Sequence, residues 1–539
     1  MWVSSFAWLF VLAARPSPAI VIRAKHSPAH SSTKPLMTGS HSMVASYVPS
    51  TNATPTLSSA GIGQNGRYVA TITLNDRDFK VAIDTGSSDL WVVTSPDFAY
   101  DTAGQEFAEI AYGTGSSVIN GTTGLANMTL GGYSFPQQAF INTTFVGLGA
   151  ILELGLDGLM GLAFDGNSAS DITAALQSQG RTKGQPFLFN IFDETPAQDN
   201  FIGISLSRTD DLEGSSDASF TINELDPTYA SAATAPEVPL FPGGDGRWSI
   251  LVDSINVDGT DLPLGASQVP NTPDGSLVVL MDTGTPTMSL PPDVLYALFS
   301  HIPGALFDAD EAIFIIPCNT TAIVTVVIEG QSFPIHPLDL SDVSVITDNV
   351  TVCVGSLIDF PPNADFDALF GDTFMRNVYS VFNFGDTIAK SPTGDATIQL
   401  VSQTDPQEAI ADVLNVRMAQ LANDPPEVQG VPEGFVPATP GSTRPPPSGT
   451  GTSSSAALGD AASTPAANGD SDLQHYALII IGLLSTNLLV VLILLLIGVV
   501  LYIKRSGSSG GVPRYVPVKL RSEEPRKSEA YEEDRRYSD

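Results

Sequence analysis

Apolar and polar positions alternate along most of the chain in short runs, broken by Gly, Pro, Asn and Asp, and long stretches at helical spacing are few. From Gly66 to Ile83 the pattern predicts two strands joined at Asn75-Asp76-Arg77, and Phe220-Thr-Ile, Trp248 to Val252 and Ile323 to Ile328 also predict strands. Residues 61–402 therefore predict an all-β body. Three stretches depart from this pattern. Phe6 to Ala14 is an apolar run too short to span a bilayer. Asp405, Pro406 and Glu408 predict the cap, first position and third position of a helix, with Ile410, Val413, Leu414, Met418 and Leu421 at helical spacing. Tyr476 to Ile503 is a 28-residue run without a charge.

These departures set the expected organisation. The first run, followed by Arg15-Pro-Ser-Pro-Ala19, predicts a secretory signal over 1–19. The long run exceeds the roughly 20 residues that cross a bilayer. Lys504 and Arg505 follow it at once and Asp470 and Asp472 precede it. This predicts a single-pass type I protein with a cytosolic tail over 504–539. The charged tail argues against a lipid-anchor signal, whose hydrophobic segment normally ends the chain. Residues 403–475 hold stretches such as Pro437 to Pro447 and predict an extended stalk rich in Pro, Ser, Thr and Gly. Asn52, Asn120, Asn127, Asn142, Asn319 and Asn349 head N-glycosylation sequons, all before the apolar span. Cys318 and Cys353 are the only thiols, so in an oxidising compartment one 35-residue loop closure is the natural assignment.

Charge sharpens the picture. The chain has 24 basic and 58 acidic side chains, a formal net charge of −34. Residues 1–75 contain no Asp or Glu but carry five basic residues and His26, His30 and His41. Residues 504–539 hold 9 basic and 7 acidic groups, which leaves 61–503 with 11 basic and 51 acidic groups, net −40. Nucleic acid is excluded as a partner, because phosphate contacts need clustered Lys and Arg. Self-repulsion relaxes as carboxylates protonate, which fits either acidic surroundings or plain solubility.

One repeat carries chemistry. Val81-Ala-Ile-Asp84-Thr85-Gly86-Ser87 recurs as Val279-Leu-Met-Asp282-Thr283-Gly284-Thr285. Each copy is followed by two apolar residues and a Gly, Leu159-Met160-Gly161 and Leu369-Phe370-Gly371. Two such copies predict a pseudo-two-fold pair of lobes, 61–235 and 236–402, with Asp84 facing Asp282 across the axis. Facing carboxyls cannot both ionise readily, so they share a proton. The ionised member can accept a proton from a water between them, and the protonated member can polarise a carbonyl. Neither cofactor nor metal is called for. Thr85 and Thr283 are expected to lock the loops across the axis. Ser87 and Thr285 are expected on the outer carboxylate oxygens, and Gly86 and Gly284 let backbone N–H groups approach.

These residues resemble the pepsin-like aspartic protease family over about 61–402. The motifs are Ile83 to Val93, Asp157-Gly-Leu-Met-Gly-Leu-Ala and Leu369 to Asn383. Proton sharing is the established behaviour of that family's aspartate pair. The resemblance implies a bilobal fold and an aspartic-type endopeptidase. It makes Tyr112-Gly113-Thr114-Gly a flap that closes over bound peptide, with Trp91 the hydrogen-bond partner of Tyr112. It also matches Cys318–Cys353 to a disulfide of the second lobe. Leu159 and Phe107 are expected at apolar subsites. Residues 20–60 become a basic prosegment that covers the acidic cleft, the chain's own inhibitor, with Lys25 or Lys34 within reach of the aspartates. The expected product is a monomer that acts on peptide or protein substrates. It would sit in the plasma membrane or a vacuolar or endosomal membrane, its catalytic part extracellular or luminal.

The sequence departs from the family pattern in three places. Only 21 residues separate Trp91 from Tyr112, fewer than the family usually has, which bears on the flap and the primed-side subsites. Pro286 stands where the family usually has Ser or Thr, and the first lobe has no cysteine. Two other classes use the same fold, an inactive peptide-binding protein and a wall or adhesion protein on a stalk. Retention of both aspartates, their outer-oxygen partners and the tyrosine favours the enzyme. In the tail, Tyr515-Val-Pro-Val518 has the form of a sorting signal.

Overall fold

The computed structural model describes residues 22–23, 67–102, 106–112, 117–131, 133–165, 170–178, 185–194, 200–206, 218–244, 246–346, 350–385 and 396–447. The expected signal, tail and long apolar run lie outside these residues, as do Gly113, Thr114, Asn52 and Asn349. Among the described residues no helix is long and apolar enough to cross a membrane.

Strands dominate, as the alternation predicts. The hairpin Val69–Leu74 and Arg77–Asp84 turns at Asn75, whose φ of 51° is the left-handed conformation that Asn tolerates. It opens a seven-stranded sheet that also contains Gly158–Gly161, Leu90–Val92, Tyr133–Val146, Ser117–Leu130 and Phe107–Tyr112, in that spatial order. The second half repeats the arrangement. Leu277–Met281 lies between Ser249–Val252 and Ala368–Phe370, and Met288–Leu290 and Leu357–Asp359 complete the sheet. Leu277–Met281 is buried at every position, which explains why it reads as an unbroken apolar run.

The two halves share a third sheet. Ser219–Ile222 and Phe201–Ser205 from the first half pair with Val378–Asn383, Thr397–Ser402 and Glu237–Pro239 from the second. Ile22–Arg23 adds an outer strand beside Ser219–Phe220. Trp248, fully buried, donates from Nε1 to the carbonyl of Leu162 at 3.2 Å and packs among Phe164, Phe382 and Phe384. One continuous apolar core thus joins both halves, and the fold is the bilobal, mostly-β pepsin-like one.

Two expectations change here. Residues 403–447 do not run free as the start of a stalk. Asp405 caps the helix Pro406–Asp412 by accepting from the N–H groups of Gln407 and Glu408, as predicted. The chain then passes through one π-turn, Val413–Arg417, and returns as the strand Phe435–Pro437 beside Leu306–Asp308. Asp412 lies 3.6 Å from His336, and Arg444 forms a two-pronged ion pair with Asp359 beneath the ring of Phe307. Ala409, Val413, Val416 and Arg417 face inward, while Ile410, Leu414 and Met418 are exposed. Of the expected stripe only Val413 is buried; the inward face is the one carrying Ala409, Val413, Val416 and Arg417, about one position round the helix from Ile410, Leu414 and Met418. The disulfide Cys318–Cys353 forms in the second half, with the Cα atoms 5.1 Å apart.

Candidate active site

Each motif sits at the end of a buried strand held by a parallel neighbour. Val81 to Asp84 runs beside Gly158 to Gly161, and Val279 to Met281 beside Ala368 to Phe370. The later glycine of each repeat is required by space. A β-carbon on Gly161 would lie 2.3 Å from the Ser88 carbonyl carbon, and one on Gly371 would lie 2.0 Å from the Thr285 carbonyl oxygen. No side chain fits at either crossing.

A matched pair of aspartates escaped the sequence reading. Asp157 accepts from the N–H of Lys80 at 2.8 Å, and Asp367 accepts from the N–H of Val278 at 2.9 Å. Each donor lies four residues before a motif aspartate, and each acceptor lies four before a crossing glycine. That common offset in the two repeats was the signal available.

The strands bring Asp84 and Asp282 face to face, both nearly fully buried. Asp84 Oδ1 accepts from the N–H of Gly86 at 2.8 Å, and Asp282 Oδ1 accepts from the N–H of Gly284 at 2.7 Å. On the outer oxygens, Ser87 donates to Asp84, and Thr285 donates to Asp282 at 2.7 Å. The approach is close enough that a β-carbon on Gly86 would lie 2.6 Å from Asp282 Oδ1, and one on Gly284 would lie 2.4 Å from Asp84 Oδ1. Burial, followed by the Asp282 charge, pushes the Asp84 carboxyl well above the ordinary carboxylate range.

The threonines form a reciprocal grip. The N–H of Thr85 donates to Thr283 Oγ1 and the N–H of Thr283 to Thr85 Oγ1, both at 3.0 Å. Each hydroxyl then donates across the axis, Thr85 to the Met281 carbonyl at 2.8 Å and Thr283 to the Ile83 carbonyl at 3.2 Å. Four buried hydrogen bonds fix the spacing of the two loops.

Trp91 Nε1 donates to Tyr112 Oη at 2.8 Å. Burial, followed by the Asp84 charge, holds the Tyr112 hydroxyl well above its ordinary value, so it stays protonated beside the pair. Leu159 is buried with Trp91 and Tyr112 in the apolar layer behind the hairpin. Phe107 lies elsewhere. It is 63% exposed, and the alternation along Phe107–Tyr112 turns it to the face opposite Ile110, so it does not line an apolar subsite. Pro286 is held from behind, its carbonyl accepting from Thr373 Oγ1 at 3.3 Å.

Two further buried carboxyls flank the site. Asp89 accepts from Ser170 Oγ at 2.6 Å and from the N–H groups of Asp171 and Ile172 at 2.7 and 3.2 Å, at the start of the helix Asp171–Ser178. Burial pushes it up to about 7 in spite of these donors. Asp372 follows Gly371, and its N–H donates to the Thr285 carbonyl at 2.9 Å. Its carboxylate oxygens have no hydrogen-bond partner among the described residues. Burial pushes it well above the ordinary range against the pull of Arg376 and Arg67, with Asp282 adding to the rise. Among the described residues no cluster of His, Cys, Asp and Glu is arranged to hold a metal ion.

The family model "Eukaryotic aspartyl protease" matches residues 67–97 and 94–390, more than half of the chain. The chain belongs to this family. Among relatives of this aspartyl protease is the "Aspartic-type endopeptidase ctsD" of Aspergillus fumigatus, 27% identical over 366 residues, covering 64% of this chain and 69% of that protein. Cathepsin E of Mus musculus is 27% identical over 355 residues, covering 59% of this chain and 78% of its own. A solved aspartic proteinase from Irpex lacteus has a TM-score of 0.47 and 16% identity, covering 64% of this chain and 97% of that one. The chain is thus an aspartic-type endopeptidase, and the disulfide and the bilobal fold expected from its sequence are present.

Proposed function

We propose that Asp84 and Asp282 hydrolyse peptide bonds by activating one water between them. The observation that carries this is the Thr85–Thr283 grip, which holds two nearly buried carboxyls face to face with a donor on every outer oxygen. One proton belongs to the pair and not to either residue. The ionised carboxylate takes a proton from the water as its oxygen bonds to the substrate carbonyl carbon. The protonated carboxyl passes its proton to the carbonyl oxygen, giving a neutral tetrahedral diol. Collapse returns the hydroxyl proton to one carboxylate, the amide nitrogen takes the other proton, and the C–N bond breaks. Tyr112, with Gly113 and Thr114, covers the bound peptide.

In this reading activity is highest under acid conditions and is lost as the pair gives up its shared proton. Because Asp84 is raised, the singly protonated pair persists above the ordinary carboxylate range. Residues 1–19 direct the chain into the secretory pathway, and 20–60 shield the cleft until processing. The lobes 61–235 and 236–402 bind substrate between them. The run 476–503 anchors the protein as a single-pass type I protein at the cell surface or a vacuolar or endosomal membrane, with 504–539 in the cytosol.

The test is digestion of a denatured protein at pH about 3–5 by the part preceding the apolar run, compared with Asp84→Asn and Asp282→Asn. Wild type should be active, both variants inactive, a pepstatin-type inhibitor effective and chelators without effect. Equal activity of wild type and variants would refute the reading.

A further inference from the structure

The three strands Phe107–Tyr112, Ser117–Leu130 and Tyr133–Val146 lie side by side, with Ser117–Leu130 in the centre. On that strand Asn120 is opposite Glu109 on one side and Phe145 on the other, and Thr122 is opposite Phe107. Side chains two apart share a face, so Asn120, Thr122, Glu109, Phe107 and Phe145 point the same way. This is the outward face, because Ile110 and Ile119 fill the other one with Trp91 and Leu159. Phe107 and Phe145 are the two most exposed phenylalanines among the described residues, at 63% and 55%. An asparagine between two bare phenyl rings on an otherwise polar sheet face needs a reason, since such rings normally find cover.

The sequence supplies one. Asn120-Gly-Thr122 is a sequon, and among the described residues the Asn120 side-chain amide makes no hydrogen bond, while its backbone carbonyl accepts from Thr144 Oγ1 at 3.4 Å. Asn142 is the contrast. Its Nδ2 donates to Tyr100 Oη at 2.8 Å, and its Oδ1 accepts from Thr94 at 2.9 Å, so the atom a sugar would need is already engaged. Asn127 and Asn319 are exposed without flanking rings. The outer strands stand roughly 10 Å apart across the central one, the span of one pyranose with its N-acetyl group. The C–H edges of a pyranose carry partial positive charge and pack on the negative face of an aromatic ring.

We propose that Asn120 carries an N-linked glycan whose innermost N-acetylglucosamine is seated between Phe107 and Phe145. The sugar is the missing cover of this face. It shields the rings from other chains and ties together the strands that carry Tyr112. The proposal rests on the reading that the chain passes through the secretory pathway.

The test expresses the full chain in a eukaryotic secretory host and maps sugar-bearing asparagines by mass spectrometry of peptides treated with N-glycosidase. Asn120 should be occupied in most molecules and Asn142 bare. Sugar on Asn127 or Asn319 with Asn120 bare overturns the proposal while secretion stands. Sugar on no sequon overturns both. For the seat, glycosidase treatment of the folded protein should raise binding of an apolar fluorescent dye and lower the melting temperature by about 1–3 °C. Both changes should vanish in Phe107→Ser/Phe145→Ser. The same response in that variant, or a bare Asn120 in a protein that dimerises through this face, defeats the seat.

Discussion

Asp84 and Asp282 end the same motif on the same kind of strand, yet the chain behind them differs. After the crossing glycine the first half places Leu162, whose N–H donates to the Asp84 carbonyl at 2.7 Å. At the equivalent point the second half places Asp372, a buried carboxyl without a hydrogen-bond donor on its oxygens among the described residues. The first half has its own buried acid, Asp89, but in a different place and with three donors. The backbone device is therefore duplicated while its electrostatic backing is not. In both halves burial outweighs the available partners and raises an acid, so each half holds a carboxyl that is more comfortable neutral.

The largest expected effect tests the symmetric part. Asp84→Asn and Asp282→Asn should each lower kcat on the order of 10³-fold, measured with a quenched peptide at acid pH. Markedly unequal losses would show that the halves do not share the chemistry evenly. Next is the grip. Thr85→Val and Thr283→Val each remove one donor and leave a buried N–H unpaired, so each should destabilise by about 2–4 kcal/mol in denaturant unfolding. A large difference between them would break the reciprocity.

The asymmetric part is tested by pH. Asp89 is raised in the folded state, so the stability its neutral form contributes is fully present below pH about 4. It is lost as pH rises to about 7, a span on the order of 4 kcal/mol. Asp89→Asn should flatten the melting temperature across that window, and Asp372→Asn should raise it at neutral pH for the same reason. If both profiles stay parallel to wild type, these carboxyls do not set the pH dependence of stability. Tyr112→Phe removes the acceptor of the Trp91 bond and should lower kcat/KM about 3–10-fold while both aspartates keep their function. The smallest change is Asp405→Ala, expected to cost about 1 kcal/mol by loss of the helix cap.

Much of this was legible. The alternation around Val69 to Ile83 and the apolar run Leu277 to Met281 fix the strands, because burial on one or both faces leaves that trace in composition. The Asp-Thr-Gly copies and the two cysteines were likewise plain. The shared sheet was not, since pairing of Phe201–Ser205 with Val378–Asn383 depends on contacts far apart in sequence. Asp89 and Asp372 lie inside the motifs Ile83 to Val93 and Leu369 to Asn383, but no periodicity or neighbouring charge in the sequence marks either as buried. Residues 403–447 were hidden by composition. Pro and Gly weaken the signal of a packed segment, and here Arg444 and Thr404 attach through side-chain hydrogen bonds while only a few apolar residues, Ala409, Val413 and Val416 among them, turn inward. The helical face differs from the expected one because Ala409 and Arg417, which carry little apolar signal, turn inward while Ile410 and Leu414 do not.

The way the chain leaves the second half has a mechanical consequence. A pull applied beyond Pro447 arrives first at the Arg444–Asp359 clasp and then at the strand Phe435–Pro437, which lies antiparallel to Leu306–Asp308. Strand pairs loaded along their length share the force over several bonds at once, whereas a terminus peeled from its end yields one bond at a time. The two attachments load different sheets: Phe435–Pro437 belongs to one apart from the aspartates, whereas Asp359 ends a strand of the sheet that contains Leu277–Met281, so the clasp is where tension from that end would meet the layer carrying Asp282.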